Sequence, residues 1–210
     1  MLTSIQSHPV MSVWASGALF AALHSVLAAA PVKTRLRTLG VSPRAYRLIY
    51  VALALATTAL WLGFVRGLPD TPLYRLEGGP RLALHAVQAA GATLFWLALR
   101  PIDGAAFLGL RAFRDGIEPF REDGIYRRLR HPMYTAAMLV MFAHPEQGVN
   151  SLNLFACIAL YFVLGSRLEE RRMLAQHPEY AGYRWRVPAF LPRMPWPGPR
   201  QPRNKPKDPR

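Results

Sequence analysis

Apolar and polar positions in this chain are sorted into long blocks rather than mixed at short period. Residues 10–30 run for 21 positions without a formally charged side chain. Residues 46–65 carry only Arg47, near their start, and residues 82–99 add 18 uncharged positions. At a rise of about 1.5 Å per residue, each block is long enough to cross roughly 30 Å of hydrocarbon. A helix on the surface of a water-soluble protein keeps one polar face at a 3.6-residue period, whereas these blocks are apolar on nearly every face. The pattern predicts an all-α integral membrane protein. In the first block Ala28-Ala29-Ala30 resembles a cleavage site. No Lys or Arg precedes the run, the run is long for a signal peptide and Pro31 follows it, so it is read as a retained anchor.

Two further apolar stretches, residues 133–143 and 152–165, flank the polar turn His144-Pro145-Glu146-Gln147-Gly148-Val149-Asn150. Pro145 and Gly148 interrupt any continuous helix, and Asn150 or Ser151 is expected to cap the next one. Residues 133–143 span only about 17 Å as a helix. That arm must therefore tilt, start in the headgroup layer, or pack as half of a helical hairpin. The expectation is five transmembrane helices, at about 10–30, 46–65, 82–99, 133–144 and 151–167, the last two forming a C-terminal hairpin. They belong to a single domain over residues 1–192, with a tail at 193–210.

Charge supplies the orientation. The 210 residues hold 26 Lys and Arg against 12 Asp and Glu, a formal net charge of +14. All but Arg66, Arg75 and Arg81 fall in residues 33–47, 100–130 and 167–210, which five crossings place on one side. The positive-inside rule makes that side the cytoplasm, with the N-terminus outside and the C-terminal segment cytoplasmic. Nucleic acid is not needed to explain the charge, and no recognition module accompanies it. The basic, proline-rich tail 193–210 is expected to be disordered and to meet anionic lipid; the lipid bilayer is the first partner. A single cysteine, Cys157, excludes a disulfide scaffold, a Cys-based zinc site and a CxxC redox pair. No metal is expected.

Chemistry concentrates beside the hairpin. Gly124-Ile125-Tyr126-Arg127-Arg128-Leu129-Arg130-His131-Pro132-Met133-Tyr134 stands just before it. Pro132 suits a first helical turn and biases His131 toward an extended backbone, aiming its imidazole away from the helix. Arg130 can fork onto a carboxylate, and Tyr126 and Tyr134 offer flat faces with hydroxyl tips. At the other end of the hairpin, Glu169 and Glu170 lie about 100° apart on one helix, so one pocket is not expected to use both equally. A salt bridge from Glu169 to Arg172 at i,i+3 and a simple positive-inside arginine cluster are the structural readings of the same residues.

The pattern G-I-Y-R-R-L-R-H-P-M-Y, the apolar hairpin, E-E-R-R-M-L and then Tyr180-Ala181-Gly182-Tyr183-Arg184-Trp185-Arg186-Val187-Pro188 resembles the integral-membrane methyltransferases related to isoprenylcysteine carboxyl methyltransferase and phospholipid N-methyltransferase. His24-Ser25, Pro31-Val32-Lys33, and Asp103 with Leu108-Gly109-Leu110-Arg111 are similar to bacterial members that include methanethiol S-methyltransferases. The chain departs from the family pattern at Ala136, where a glycine is usual, and at His177-Pro178, where Phe-Gly is usual. The resemblance implies a bacterial cytoplasmic-membrane enzyme that transfers a methyl group from S-adenosylmethionine at the cytoplasmic face. In that expectation Arg130 and His131 hold the cofactor carboxylate, and Glu169 or Glu170 balances its cationic end. Pro132 sets the corner, Tyr126, Tyr134, Tyr180 and Tyr183 wall the adenine, and His24 and Arg186 handle the nucleophile. No G-x-G-x-G loop occurs, which argues against a soluble Rossmann-type methyltransferase. The acceptor is expected to be lipophilic or a small thiol or carboxyl compound. Phospholipid N-methylation, haem binding through His24 and His85, and a non-catalytic scaffold are the alternatives.

Overall fold

The structure, a computed structural model, describes residues 3–111 and 120–192, with side chains from residue 8 onward. The tail at 193–210 lies outside the described residues. In chain order the elements are α1 (Thr3–Ala28), α2 (Ala30–Thr38), α3 (Pro43–Arg66), β1 (Pro72–Arg75), α4 (Gly78–Leu99), α5 (Gly104–Phe107), a 3-10 turn (Gly124–Arg127), α6 (Pro132–Phe142), β2 (Glu146–Gly148), α7 (Val149–Gln176) and α8 (Tyr180–Arg186).

Among the described residues, four helices are long and apolar enough to cross a membrane: His8–Ala28 of α1, and α3, α4 and α7. The expected fourth span is the shorter α6, 11 residues long. Large apolar side chains point outward along the long helices, with Leu19, Leu55, Leu60 and Leu82 exposed. Such a surface is stable against lipid and costly against water. The sequence resembling a cleavage site is a helix break at Ala29. Pro31 then opens α2, which carries Arg35 and Arg37 exposed. Ser42 caps α3 by accepting from Ala45 N–H at 3.2 Å, with Pro43 preset for the first turn.

Side-chain contacts fix the helix directions. Trp14 donates to Asn153 at 2.8 Å and Gly17 abuts Cys157, so α1 runs parallel to α7. Trp61 donates to Ser16 at 3.0 Å and Tyr46 donates to Leu27 C=O, so α3 runs back against α1. The ends of α1, α4 and α7 therefore share one end of the bundle with the starts of α3 and α6. Small residues let the backbones close up. A Cβ at Gly17 would fall 2.3 Å from Cys157 Sγ, and one at Gly91 of α4 would fall 3.1 Å from Ala136 C=O of α6. Val13, Trp61, Val65, Leu154 and Cys157 fill the space among α1, α3 and α7.

The architecture is helical as expected, with a small two-stranded ribbon added at the opposite end. There β1 and β2 form an antiparallel ribbon in which Pro72 faces Gly148, Tyr74 faces Gln147 and Arg75 faces Glu146. A bare turn between α6 and α7 would leave backbone groups without partners beside the lipid. The α3–α4 connection supplies them: Leu76 N–H donates to Pro145 C=O and Val149 N–H to Thr71 C=O, both at 2.9 Å. Glu146 draws in Arg75 at 2.9 Å and Arg81 at 3.5 Å. Neither Asn150 nor Ser151 is the cap of α7. Gly148 takes that position, Ser151 accepts from its N–H at 2.8 Å, and Asn150 N–H donates to Asp70 at 2.8 Å.

Candidate functional site

The site grows from the His131-Pro132 corner. Pro132 is fully buried at the first position of α6, and His131 before it has φ −122° and ψ 59°, outside the helix. With no helical carbonyl to bond, Arg130 N–H donates to Pro188 C=O and His131 N–H to Ala189 C=O, both at 3.0 Å. Thr135 Oγ1 donates to Phe190 C=O at 2.8 Å. The segment after α8 is thereby strapped across the corner.

Adjacent carboxylates at the far end of α7 do different work. Glu170 is buried, and Arg130 Nε reaches its Oε1 at 2.7 Å, His131 Nε2 the same oxygen at 3.0 Å, and Arg184 Nε its Oε2 at 3.1 Å. Arg130 Nη1 also donates to the carbonyls of Arg184 and Val187. The expected anion-holding arginine is thus spent on the protein itself. It neutralises Glu170 and ties α6, α7 and α8 together. Glu169 remains more accessible, its side chain 39% exposed against 7% for Glu170. Its pair is not with Arg172: Tyr134 O–H donates to it at 3.1 Å and His131 Nδ1 stands 3.9 Å away.

Flat surfaces line up beside Glu169. Phe162 stacks on Tyr134 at 4.7 Å, Tyr134 on His131 at 5.5 Å, and His131 on Phe190 at 5.5 Å. Three of the four expected adenine-wall tyrosines lie elsewhere in the packing. Tyr180 and Tyr183 are buried with Val187 against Phe120, Met173 and Leu174, and burial pushes both phenols above their ordinary range. Tyr183 donates to Tyr126 C=O at 2.7 Å, and Tyr126 donates to Ala98 C=O at 3.2 Å. These three hold the cap of the site in place. Ala136 faces Gly91 of α4, and His177-Pro178 makes the turn from α7 into α8, where Tyr180 N–H donates to His177 C=O at 3.0 Å.

His24 and Arg186, expected to act together, make no contact with one another. Arg186 is exposed and pairs with Glu122 at 3.3 Å. His24 is buried on α1, its Nδ1 2.9 Å from Phe20 C=O and its Nε2 3.5 Å from Thr57 Oγ1. It faces Tyr50 at 6.3 Å, and His85, the other intramembrane histidine, instead meets Gln88 at 2.9 Å. Sequence reasoning missed a polar band beyond His24. Tyr161 bonds Ser25, interacts with Tyr50 and Tyr134, and Arg172 acts on both of those phenols. The available signal lay in tyrosines inside three of the apolar blocks, Tyr50, Tyr134 and Tyr161, residues that seek a polar partner when buried. Asp103 is structural. It caps α5 through Ala106 N–H and pairs with Arg111, and these, the amide first, hold its carboxyl below the usual range. Gly109 closes that turn at φ +82°, where a Cβ would meet Leu48 N at 2.9 Å.

A family described as NnrU protein matches residues 12–193. Methanethiol S-methyltransferase 2 of Bradyrhizobium diazoefficiens is 30% identical over 185 residues, 84% of this chain and 70% of that protein. Methanethiol S-methyltransferase 1 of the same organism is 31% identical over 185 residues, 83% of this chain and 64% of that protein. The methanethiol S-methyltransferase of Pseudomonas deceptionensis is 31% identical over 117 residues, 49% of this chain. The match spans less than half the length of the Pseudomonas protein, 45% of it. No solved structure matches.

Proposed function

The chain belongs to the NnrU protein family, and from that premise we propose that it is an integral-membrane methyltransferase using S-adenosylmethionine at the cytoplasmic face, with a small thiol or another lipophilic thiol or carboxyl compound as acceptor. The observation that carries the reading is the pairing of an accessible carboxylate, Glu169, with a ladder of ring faces, Tyr134, His131 and Phe190, at the mouth of an apolar bundle. That donor set suits a ligand with a cationic centre and a planar base. The donor, when bound, supplies a methyl group on a positively charged sulfur that loses its charge as the methyl leaves.

In this reading Glu169 balances the positive end of the donor, and the Tyr134 hydroxyl keeps that carboxylate aimed. Arg172, exposed three residues further along α7, takes the donor's carboxylate in place of Arg130 and Arg184, which are both committed to Glu170. Glu170, Arg130 and the strapped segment exclude water and fix alignment, which is most of what an in-line displacement needs. His24, held by Thr57 next to Tyr50, receives the proton of a thiol arriving from the apolar side. The relatives' names favour a small thiol over phospholipid nitrogen.

The test is transfer of a radiolabelled methyl group on membranes carrying the protein, with methanethiol, a prenyl thiol and phospholipid offered in parallel. Labelled thioether that disappears in Glu169→Ala supports the reading. Label only in phospholipid moves the acceptor to nitrogen, and no donor binding by isothermal titration would sink the enzymatic reading altogether.

A further inference from the structure

Away from Glu169, a cleft of about 520 Å³ opens between the end of α4 and the 3-10 turn. Leu97, Pro101 and Ile125 give it an apolar floor, Arg100 and Arg128 stand at its walls, and Gly124 turns the chain there at φ +55°. The Tyr126 hydroxyl clamps the turn to Ala98 C=O at 3.2 Å, so both walls are tied together.

Neither guanidinium is paired with a carboxylate among the described residues. Among the described residues Asp103 holds Arg111, Glu122 holds Arg186, Glu170 holds Arg130, and Asp123 makes no pair with either wall. Arg100 follows directly on the last residue of an apolar span and lies 4.8 Å over the Trp96 ring, itself 57% exposed on the flank of the helix. Trp with a guanidinium at the end of a span marks the headgroup level of a bilayer. Two like charges converging on one cavity repel each other until an anion enters between them, and guanidinium forks match phosphate oxygens.

We infer that this cleft binds the headgroup of an anionic phospholipid, its phosphate between Arg100 and Arg128 and its acyl chains along Leu97 and Trp96. The volume suits a glycerophosphate group. A zwitterionic lipid is a poorer occupant, because its own ammonium competes for the phosphate. The inference is independent of methyl transfer, since none of its residues belongs to the Glu169 site.

The experiment is native mass spectrometry of the detergent-purified chain titrated with phosphatidylglycerol or phosphatidylcholine. Each basic side chain near a membrane surface contributes about 1 kcal/mol, so Arg100→Gln or Arg128→Gln should weaken phosphatidylglycerol about fivefold and the double variant about 25-fold. Phosphatidylcholine should be little changed. Arg121→Gln with Arg127→Gln removes the same charge outside the cleft and should cost less than about threefold. Thermal unfolding of every variant in detergent alone reports folding, and Arg100→Lys with Arg128→Lys should retain most of the preference. Equal affinity for the two lipids, an equal loss in the two double variants, or displacement of the lipid by millimolar inorganic phosphate would each overturn the inference.

Discussion

Neighbouring glutamates on α7 should fail in opposite ways when removed. Glu170 is the counter-charge for Arg130, whose side chain is 12% exposed, and it also accepts from His131 and Arg184. Glu170→Ala strands Arg130 in a poorly solvated position, and breaking a buried pair from one side costs about 3–5 kcal/mol. At about 2–4 °C per kcal/mol for a chain of this size, thermal unfolding in detergent should fall by about 6–20 °C. Glu169→Ala removes one hydrogen bond from Tyr134 at a partly exposed carboxylate and should cost about 1 kcal/mol or less. Its effect belongs in the methyl-donor titration, where affinity should drop at least tenfold with the fold intact. The apolar pair Arg130→Met with Glu170→Leu should recover much of the stability lost in Glu170→Ala, because a buried ion pair is replaceable while a lone buried charge is not. If Glu169→Ala unfolds the protein and Glu170→Ala leaves stability untouched, the assignment of structural and ligand-facing roles is reversed and the reasoning fails.

Gly17→Ala should lower stability by about 1–3 kcal/mol, since its Cβ would fall 2.3 Å from Cys157 Sγ; adding Cys157→Ala should restore most of that loss in a double-mutant thermal cycle. For Tyr180 and Tyr183 the folded-state pKa is raised by burial above the ordinary 10.0. The unfolded chain thus releases these protons first, so stability is full below pH 10 and declines above it. Phenolate absorbance should show these two tyrosines ionising above the ordinary phenol range, and an alkaline limb that does not soften in Tyr183→Phe would contradict this. Asp103→Ala removes both the cap on Ala106 and the partner of Arg111. Hydrogen exchange of α5 should then resemble that of the wild type at a pH below the depressed carboxyl value, where the same group is protonated, and an unchanged exchange rate would refute the cap.

The long apolar helices were legible in the sequence because partition into lipid is decided block by block: each long apolar helix gains by leaving water whatever its neighbours do. The meeting of His131-Pro132 with Glu169-Glu170 was equally legible, since an interrupted apolar run returns a chain to the end it left. Tertiary structure alone decided which carboxylate faces outward, because a 100° step between neighbours has no meaning until α6 and the strap after α8 occupy one side of α7. It also decided that Arg130 is consumed by Glu170, that Tyr180 and Tyr183 are packing rather than wall, and that β1 and β2 pair at the other end. A hydrogen-bonding group spends its capacity on whichever partners the packed chain brings within about 3 Å, and those partners lie 40 to 76 positions away in the sequence. Composition and periodicity hold no record of that choice.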